Sequence, residues 1–170
     1  GSFGGDYDVS KNFGKGVWVV SEGRNYMSIH SSNTGNPVTD TNNWVDITDA
    51  LADVKETIED MFDIDTFIDF IVIGNVCGNN DAWDNNGQII TWGKLDGSDR
   101  MNWSVNMYDC DITFGCIWNG VIAYAADHAK LGSNYPLYSI FWNYYFEELK
   151  ERYHELRDKG IFDADHITQL

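Results

Sequence analysis

The periodicity of the chain changes near residue 48, and this change limits the fold to a mixture of strands and helices. Gly, Asn, Ser and Thr dominate residues 1–47, where short β-type runs such as GVWVV and NYMSIH are separated by glycine turns. Beyond residue 48, apolar residues recur at helical spacing. We therefore predict an α+β fold with two domains, a small antiparallel β module over 1–47 and a second domain over 48–170.

The second domain is predicted to be mostly helical. Its pattern indicates one helix from about residue 48 and an almost wholly apolar helix, TFIDFIVIGNVC, capped by Asp65. One long helix is expected over Pro136–Lys159, because proline suits a first helical position. A last short helix is expected to begin at Asp163.

Two polar clusters lie at the outer ends of a predicted β-hairpin, whose strands are expected over 88–93 and 102–108. NNDAWDNN precedes the first strand, and DCD follows the second. Because the strands of a hairpin are antiparallel, the start of one lies beside the end of the other. We therefore expect the two clusters to lie close together.

The spacing in these clusters matches that of kinase-type phosphoryl-transfer enzymes. Asp81 and Asn86 form a D-x-x-x-x-N pattern, and Asp109 and Asp111 follow the hairpin. In such enzymes the first Asp orients the acceptor hydroxyl, while the Asn and the later Asp hold Mg²⁺ on the nucleotide phosphates. A loop of Asx turns that caps backbone groups fits the same residues, so spacing alone leaves both interpretations open.

Three sequence blocks occur in order: DIDTFIDFIVIGNVCGNNDAWDNNGQIITW, NMYDCDITFG and FEELKERYHELRDKGIFDADHI. Together they resemble the carboxy-terminal half of the CotH kinase family, which are atypical protein kinases. The resemblance covers about residues 49–170. It implies a kinase-like carboxy-terminal lobe containing one β-hairpin.

The resemblance also implies roles for individual residues. Asp81 would be the catalytic base, and Asn86 and Asp109 would be Mg²⁺ ligands. Asp111 would be an accessory acidic group or an alternative metal ligand, whereas Trp83 falls in the family's variable segment. Magnesium is therefore the expected cofactor if the chain is catalytic, and no cofactor is expected otherwise.

The lobe with which a kinase holds its nucleotide is not recognisable in the sequence. Such a lobe needs a Gly-rich loop over the phosphates and a Lys anchored by a helix Glu. Residues 1–47 contain no G-x-G-x-x-G pattern, and FGKG is too short to replace it. Either the sequence is a fragment of a longer kinase, or the scaffold has lost nucleotide binding; the sequence leaves enzymatic activity open.

Residues 7–47 resemble the small three-stranded carbohydrate-binding modules of chitinases, which also occur in phage tail-fibre proteins. The resemblance implies that sugar rings stack on aromatic side chains. Trp18, Tyr26 and Trp44 are the candidates, and Trp18 is the candidate for an exposed ring. For each of them taken separately, a place in the core is favoured over a sugar-binding role, because a small sheet has few other residues to bury.

The charge of the chain limits its partners. Eleven Lys and Arg oppose 27 Asp and Glu, and the net charge of −16 repels nucleic acid and anionic membranes. No apolar run is long enough for membrane insertion, and no signal peptide is visible. Three cysteines without a CxxC pair argue against a disulfide framework and a zinc ribbon.

Two functional hypotheses of different classes follow. The leading one is a recognition protein of a virion, a phage tail or fibre component that contacts a cell-surface glycan or receptor on a pseudokinase scaffold. The homotrimer usual in tail fibres would suit it. The alternative is a bacterial CotH-type atypical protein kinase that transfers phosphate from ATP and Mg²⁺ to Ser or Thr.

Overall fold

The computed structural model of the chain describes residues 1–79, 81–83, 86–94, 101–109, 113 and 132–163. Two compact units are formed, Gly1–Ile58 and Glu59–Leu170. Both helices and sheets are present, which confirms the α+β class. None of the helices in the described ranges is long and apolar enough to cross a membrane.

The first unit is built on a four-stranded sheet in the order β1-β2-β3-β4. The strands are β1 (Ser2–Asp6), β2 (Val17–Ser21), β3 (Arg24–Ser28) and β4 (Trp44–Asp46). β2, β3 and β4 are antiparallel neighbours, but β1 runs parallel to β2. The prediction of a purely antiparallel module is therefore wrong, because residues 7–16 form a crossover that returns the chain to the starting end of β1.

Aromatic residues form the core of the first unit. Phe13, Val19 and Trp44 are buried, with side-chain contacts from four partly buried neighbours: Tyr7, Val17, Tyr26 and Val38. The Phe13 and Trp44 rings meet edge to face with centroids 5.5 Å apart. Trp44 Nε1 donates to the Asn36 carbonyl at 3.0 Å, so the polar group of this buried ring is satisfied.

The second unit contains α2 (Ile64–Val76), β5 (Gly87–Lys94), β6 (Met101–Met107), α3 (Pro136–Tyr144) and α4 (Phe146–Asp158). β5 and β6 form the predicted antiparallel hairpin. The apolar helix α2 lies centrally and contacts β6, α3 and α4. That this arrangement is a kinase-like carboxy-terminal lobe stays a prediction.

The cap of α2 is Asp63, so the prediction of Asp65 is wrong. Asp63 Oδ1 accepts the Thr66 N–H at 3.4 Å. Its backbone N–H donates to the Trp103 carbonyl at 2.8 Å, and its Oδ2 accepts from Ser104 Oγ at 3.4 Å. The start of the helix is therefore hydrogen-bonded to β6, a long-range interaction that helical periodicity does not contain.

The long carboxy-terminal helix predicted from Pro136 is interrupted at Tyr145, where φ is −127° and ψ is 28°. Tyr145 is 2% exposed, and its ring packs on Phe141 with centroids 5.5 Å apart. Its hydroxyl lies 3.4 Å from Glu59 Oε1, to which it donates. Burial of this ring raises the pKa of Tyr145. The helix predicted from Asp163 lies outside the described residues.

The junction between β4 and helix α1 (Thr48–Glu59) depends on one carboxylate. Asp46 Oδ1 accepts from Thr48 Oγ1 at 2.7 Å and from the Thr48 N–H at 3.0 Å. Asp46 Oδ2 lies 2.7 Å from Arg24 Nη2. The Thr48 hydroxyl and N–H, followed by Arg24, lower the pKa of Asp46 to about 2.

We expect Asp46→Asn to reduce the melting temperature at neutral pH but not at pH 2. The pKa of Asp46 lies below its unfolded value of 3.8, so its carboxylate stabilises the fold above pH 3.8 and this contribution disappears as the pH falls through about 2. The measurement is the melting temperature of both proteins between pH 6 and pH 2. Asp53→Asn, on the exposed side of α1, is the control, and its difference from the wild type should not disappear in this way at pH 2. A difference that persists unchanged at pH 2 would contradict the assignment.

Candidate functional site

The loop that carries the first polar cluster begins at a left-handed glycine directly after α2. Gly78 has a left-handed φ of 64°, which ends the helix. The Cys77 N–H donates to the Ile73 carbonyl at 2.9 Å, and the Asn79 N–H donates to the Gly74 carbonyl at 2.9 Å. These bonds satisfy the last carbonyls of the helix and direct the chain towards the hairpin.

Asp81 and Asn86 close this loop by two hydrogen bonds. The Asn86 N–H donates to the Asp81 carbonyl at 3.0 Å, and Asn86 Nδ2 donates to Asp81 Oδ2 at 3.3 Å. Both residues are partly buried. The D-x-x-x-x-N spacing therefore corresponds to a loop that brings a carboxylate and a carboxamide into contact.

The hairpin brings the end of β6 to the same place. Gly87 is paired with Met107, and the Tyr108 N–H donates to the Asn86 carbonyl at 2.8 Å. Asp109 follows directly; it is exposed and has a left-handed φ of 57°. Residues other than Gly, Asn and Asp rarely adopt this backbone conformation. Non-glycine residues that do adopt it concentrate at functional sites.

The structure thus places three of the four predicted site residues, Asp81, Asn86 and Asp109, at one edge of the hairpin. The fourth, Asp111, lies outside the described residues. Sequence reasoning predicted this proximity from the hairpin alone. It did not predict the left-handed backbone of Asp109, for which an Asp directly after a strand is only a weak signal.

An aromatic cluster lies under the loop. Trp83 is 5% exposed, and its ring meets Phe70 and Tyr138 edge to face with centroids 5.4 and 5.3 Å away. Burial raises the pKa of Tyr138 to about 12, so its hydroxyl stays neutral at physiological pH. The family resemblance places Trp83 in a variable segment, but the structure shows that it anchors the loop to α2 and α3.

The first residue of β5 fits this cluster only as glycine. A Cβ on Gly87 would lie 2.4 Å from the Ala82 carbonyl oxygen and 2.6 Å from Tyr138 Oη. Both distances are shorter than a van der Waals contact, and one of the two atoms belongs to the backbone. Gly87 therefore sets how closely the loop approaches the hairpin.

The donor set suits magnesium held together with a phosphate ligand. In the described part of the chain, no group of three or more His, Cys, Asp or Glu could hold a metal ion. Asn86 and Asp109 instead offer a carboxamide and a carboxylate oxygen at one end of the hairpin, beside Asp81. Mg²⁺ prefers oxygen ligands and is commonly bound by one or two carboxylates plus substrate phosphates, which this set can supply.

The aromatic residues predicted to bind sugar are mostly internal. Trp18 is 6% exposed and packs on Phe3 with ring centroids 4.4 Å apart, so it lies in the interior, as favoured for each aromatic, and does not offer the exposed ring for which it was the candidate. Trp44 is 2% exposed, and Tyr26 is partly buried against the same core. The cause is that a small sheet fills its interior with the large side chains it has. Binding of sugar by these residues stays a prediction.

The family model described as CotH kinase protein matches residues 21–164. The match includes β3 and β4, which the sequence assigned to a separate module, and it gives no support to the carbohydrate-binding resemblance. Neither the curated proteins nor the solved structures contain a match to the chain.

We expect Gly87→Ala to lower the free energy of unfolding by about 1–3 kcal/mol, because the new methyl group overpacks the site. Gly14→Ala is the control, since a Cβ there would meet only the Ser31 carbonyl oxygen at 3.9 Å. Its effect should remain within about 0.5 kcal/mol. Urea denaturation measures both values, and equal effects of the two changes would refute the close approach at Gly87.

Proposed function

The chain belongs to the CotH kinase protein family, and from this membership we propose that it transfers the γ-phosphoryl group of ATP to a Ser or Thr hydroxyl. The observation that supports this proposal is the contact between the Asp81 and Asn86 side chains, together with the Tyr108 hydrogen bond that brings Asp109 to the same edge. If the loop consisted only of Asx turns that cap backbone groups, the residues after β6 would not need to be hydrogen-bonded to it.

Asp81 is the proposed acceptor of the hydroxyl proton. The hydrogen bond from Asn86 Nδ2 holds the orientation of its carboxylate. The substrate oxygen would attack the γ-phosphorus, the bond to the bridging oxygen would break, ADP would leave, and the hydroxyl proton would pass to Asp81. Such a transfer depends mainly on positioning, which this loop is built to provide.

Asn86 and Asp109 are the residues that would hold Mg²⁺, with Asp111 as a further acidic group. When bound, the metal would neutralise charge on the phosphates. The left-handed φ of 57° at Asp109 directs the chain away from the strand direction of β6. Asp109 is exposed, as a ligand that shares its metal with a nucleotide must be.

The family match gives no support to glycan recognition on a phage tail. With Trp18 and Trp44 buried, two of its three aromatic candidates lack an accessible ring face. No observation therefore favours it as a second function. The virion location, the glycan or receptor partner and the homotrimer stay predictions of the sequence.

Isothermal titration calorimetry should show that the chain binds ATP with Mg²⁺ and that Asp109→Gly abolishes this binding. Glycine accepts the left-handed backbone of residue 109, so the stability of this variant should remain within about 1 kcal/mol of the wild type. Loss of binding would then result from the missing carboxylate. Asp158→Asn, on the exposed end of α4, is the control for removal of an acidic charge.

Asp81→Asn should keep nucleotide binding but lower the rate of phosphoryl transfer about 10²–10⁴-fold, because it removes only the proton acceptor. The measurement is incorporation of labelled phosphate into a Ser- and Thr-containing protein, alongside calorimetry with ATP. If wild-type protein binds no ATP while a glycan array gives a specific signal, the kinase proposal fails.

A further inference from the structure

Asn79 is the fully buried polar residue at the start of the site loop, with 0% of its surface exposed. Its Oδ1 accepts the Asp81 N–H at 3.2 Å. Its Nδ2 is buried and has no hydrogen-bond partner among the described residues. An N–H needs an acceptor, so the carboxamide atom that faces the Asp81 N–H is Oδ1. The atom without a partner is therefore Nδ2.

A carboxamide in this state costs free energy that an apolar side chain would not. Most Asx turns avoid this cost, since they lie at surfaces where water completes their hydrogen bonding. Retention of a buried Asn therefore needs a compensating role. The bond to Asp81 is the only side-chain bond of Asn79 in the described part of the chain that could provide it.

Asn79 also lies at the end of a continuous series of hydrogen bonds. Its N–H is bonded to the Gly74 carbonyl of α2, and its Oδ1 is bonded to the Asp81 N–H. Asp81 in turn accepts from Asn86, whose carbonyl accepts from the Tyr108 N–H. The buried helix α2 is therefore linked to both sides of the site through the backbone N–H and the side chain of Asn79.

Charge explains why the residue is Asn and not Asp. A carboxylate at position 79 would accept the same N–H, but it would be buried two residues from the Asp81 carboxylate. Two close carboxylates disfavour ionisation of each other, and burial disfavours it further. A carboxamide offers the acceptor without the charge.

We propose that Asn79 is a positioning residue, which fixes the backbone of Asp81 against α2 so that the Asp81 carboxylate faces Asn86. The catalytic consequence rests on the proposed function, whereas the positioning itself is a property of the folded chain. Asn79 need not touch substrate or metal.

The test is amide hydrogen exchange of Asp81 and Asn86, measured by NMR. Asn79→Ala and Asn79→Leu, which keeps the branching of the side chain without its polar atoms, should accelerate exchange at both amides about ten-fold or more beyond the acceleration that any loss of global stability produces. Asn79→Asp keeps the acceptor but adds the unfavourable charge, so it should restore protection at Asp81 only at low pH, where the new carboxyl group is neutral. Use of two loss variants guards against one of them failing to fold.

Asn33→Ala is the matched control. Asn33 is also buried, at 1% exposure, but its Nδ2 donates to Ser28 and Asn43 in the first unit. This change should lower stability without selective exchange at Asp81 and Asn86. If the Asn79 variants leave the Asn86 amide as protected as in wild type, Asn79 is a local cap and the proposal is wrong.

Phosphoryl transfer separates this inference from the proposed function. With an active chain, Asn79→Ala should lower kcat about 10²-fold with little change in KM for ATP, since misplacement of Asp81 affects the chemical step. Accelerated exchange at both amides in a chain that neither binds ATP nor transfers phosphate would uphold the positioning role and refute the kinase proposal.

Discussion

Burial of the apolar helix α2 is the constraint on which the second unit depends. Six of its residues are buried, and Phe67 stacks on Phe141 of α3 with ring centroids 4.6 Å apart. Its first turn is joined to β6 through Asp63 and Thr66, whose Oγ1 accepts the Val105 N–H at 3.3 Å. A helix held by apolar contacts along its length and by hydrogen bonds at its start has little freedom to shift, so whatever follows its last turn begins from a fixed point.

Two kinds of interaction hold the loop of the site to α2. Hydrogen bonds lead from the end of α2 through Asn79 to Asp81, and ring contacts hold Trp83 between Phe70 and Tyr138. The first kind sets the direction of the carboxylate, and the second sets the depth of the loop. Asp81 and Asn86 are therefore held in place although they are only partly buried, which is the usual arrangement of a site supported by a rigid scaffold.

Sequence reasoning succeeded where the information is local and failed where it is long-range. The apolar run of α2 and the two strand-like runs of the hairpin are visible in the sequence, so the proximity of Asp81, Asn86 and Asp109 follows from antiparallel pairing. The break at Tyr145 has no Gly or Pro signal, because it arises from contacts with Phe141 and Glu59.

Ion pairs show the same limit. Spacing within α4 offers Arg152 partners on the same helix, and Arg152 Nη1 lies 2.6 Å from Glu155 Oε2. Nε and Nη2 of the same guanidinium lie 2.6 and 3.2 Å from Asp69 Oδ1 and Oδ2 of α2, a pairing that spacing within one helix does not predict. A charge pair between neighbouring turns is available in any helix, whereas a bidentate pair between helices exists only after the helices have packed.

The net charge of −16 bears differently on nucleic acid and on a nucleotide. A nucleic acid would contact a wide surface, so every exposed carboxylate along its path would oppose binding. A nucleotide contacts one site, and at physiological ionic strength charges farther away than about 8 Å are largely screened. The carboxylates that matter for it are those at the edge of the hairpin, and these are the groups that a bound magnesium ion would neutralise. An acidic chain can therefore reject polyanions and still accept ATP with Mg²⁺, because the carboxylates that would oppose the nucleotide are also the proposed metal ligands.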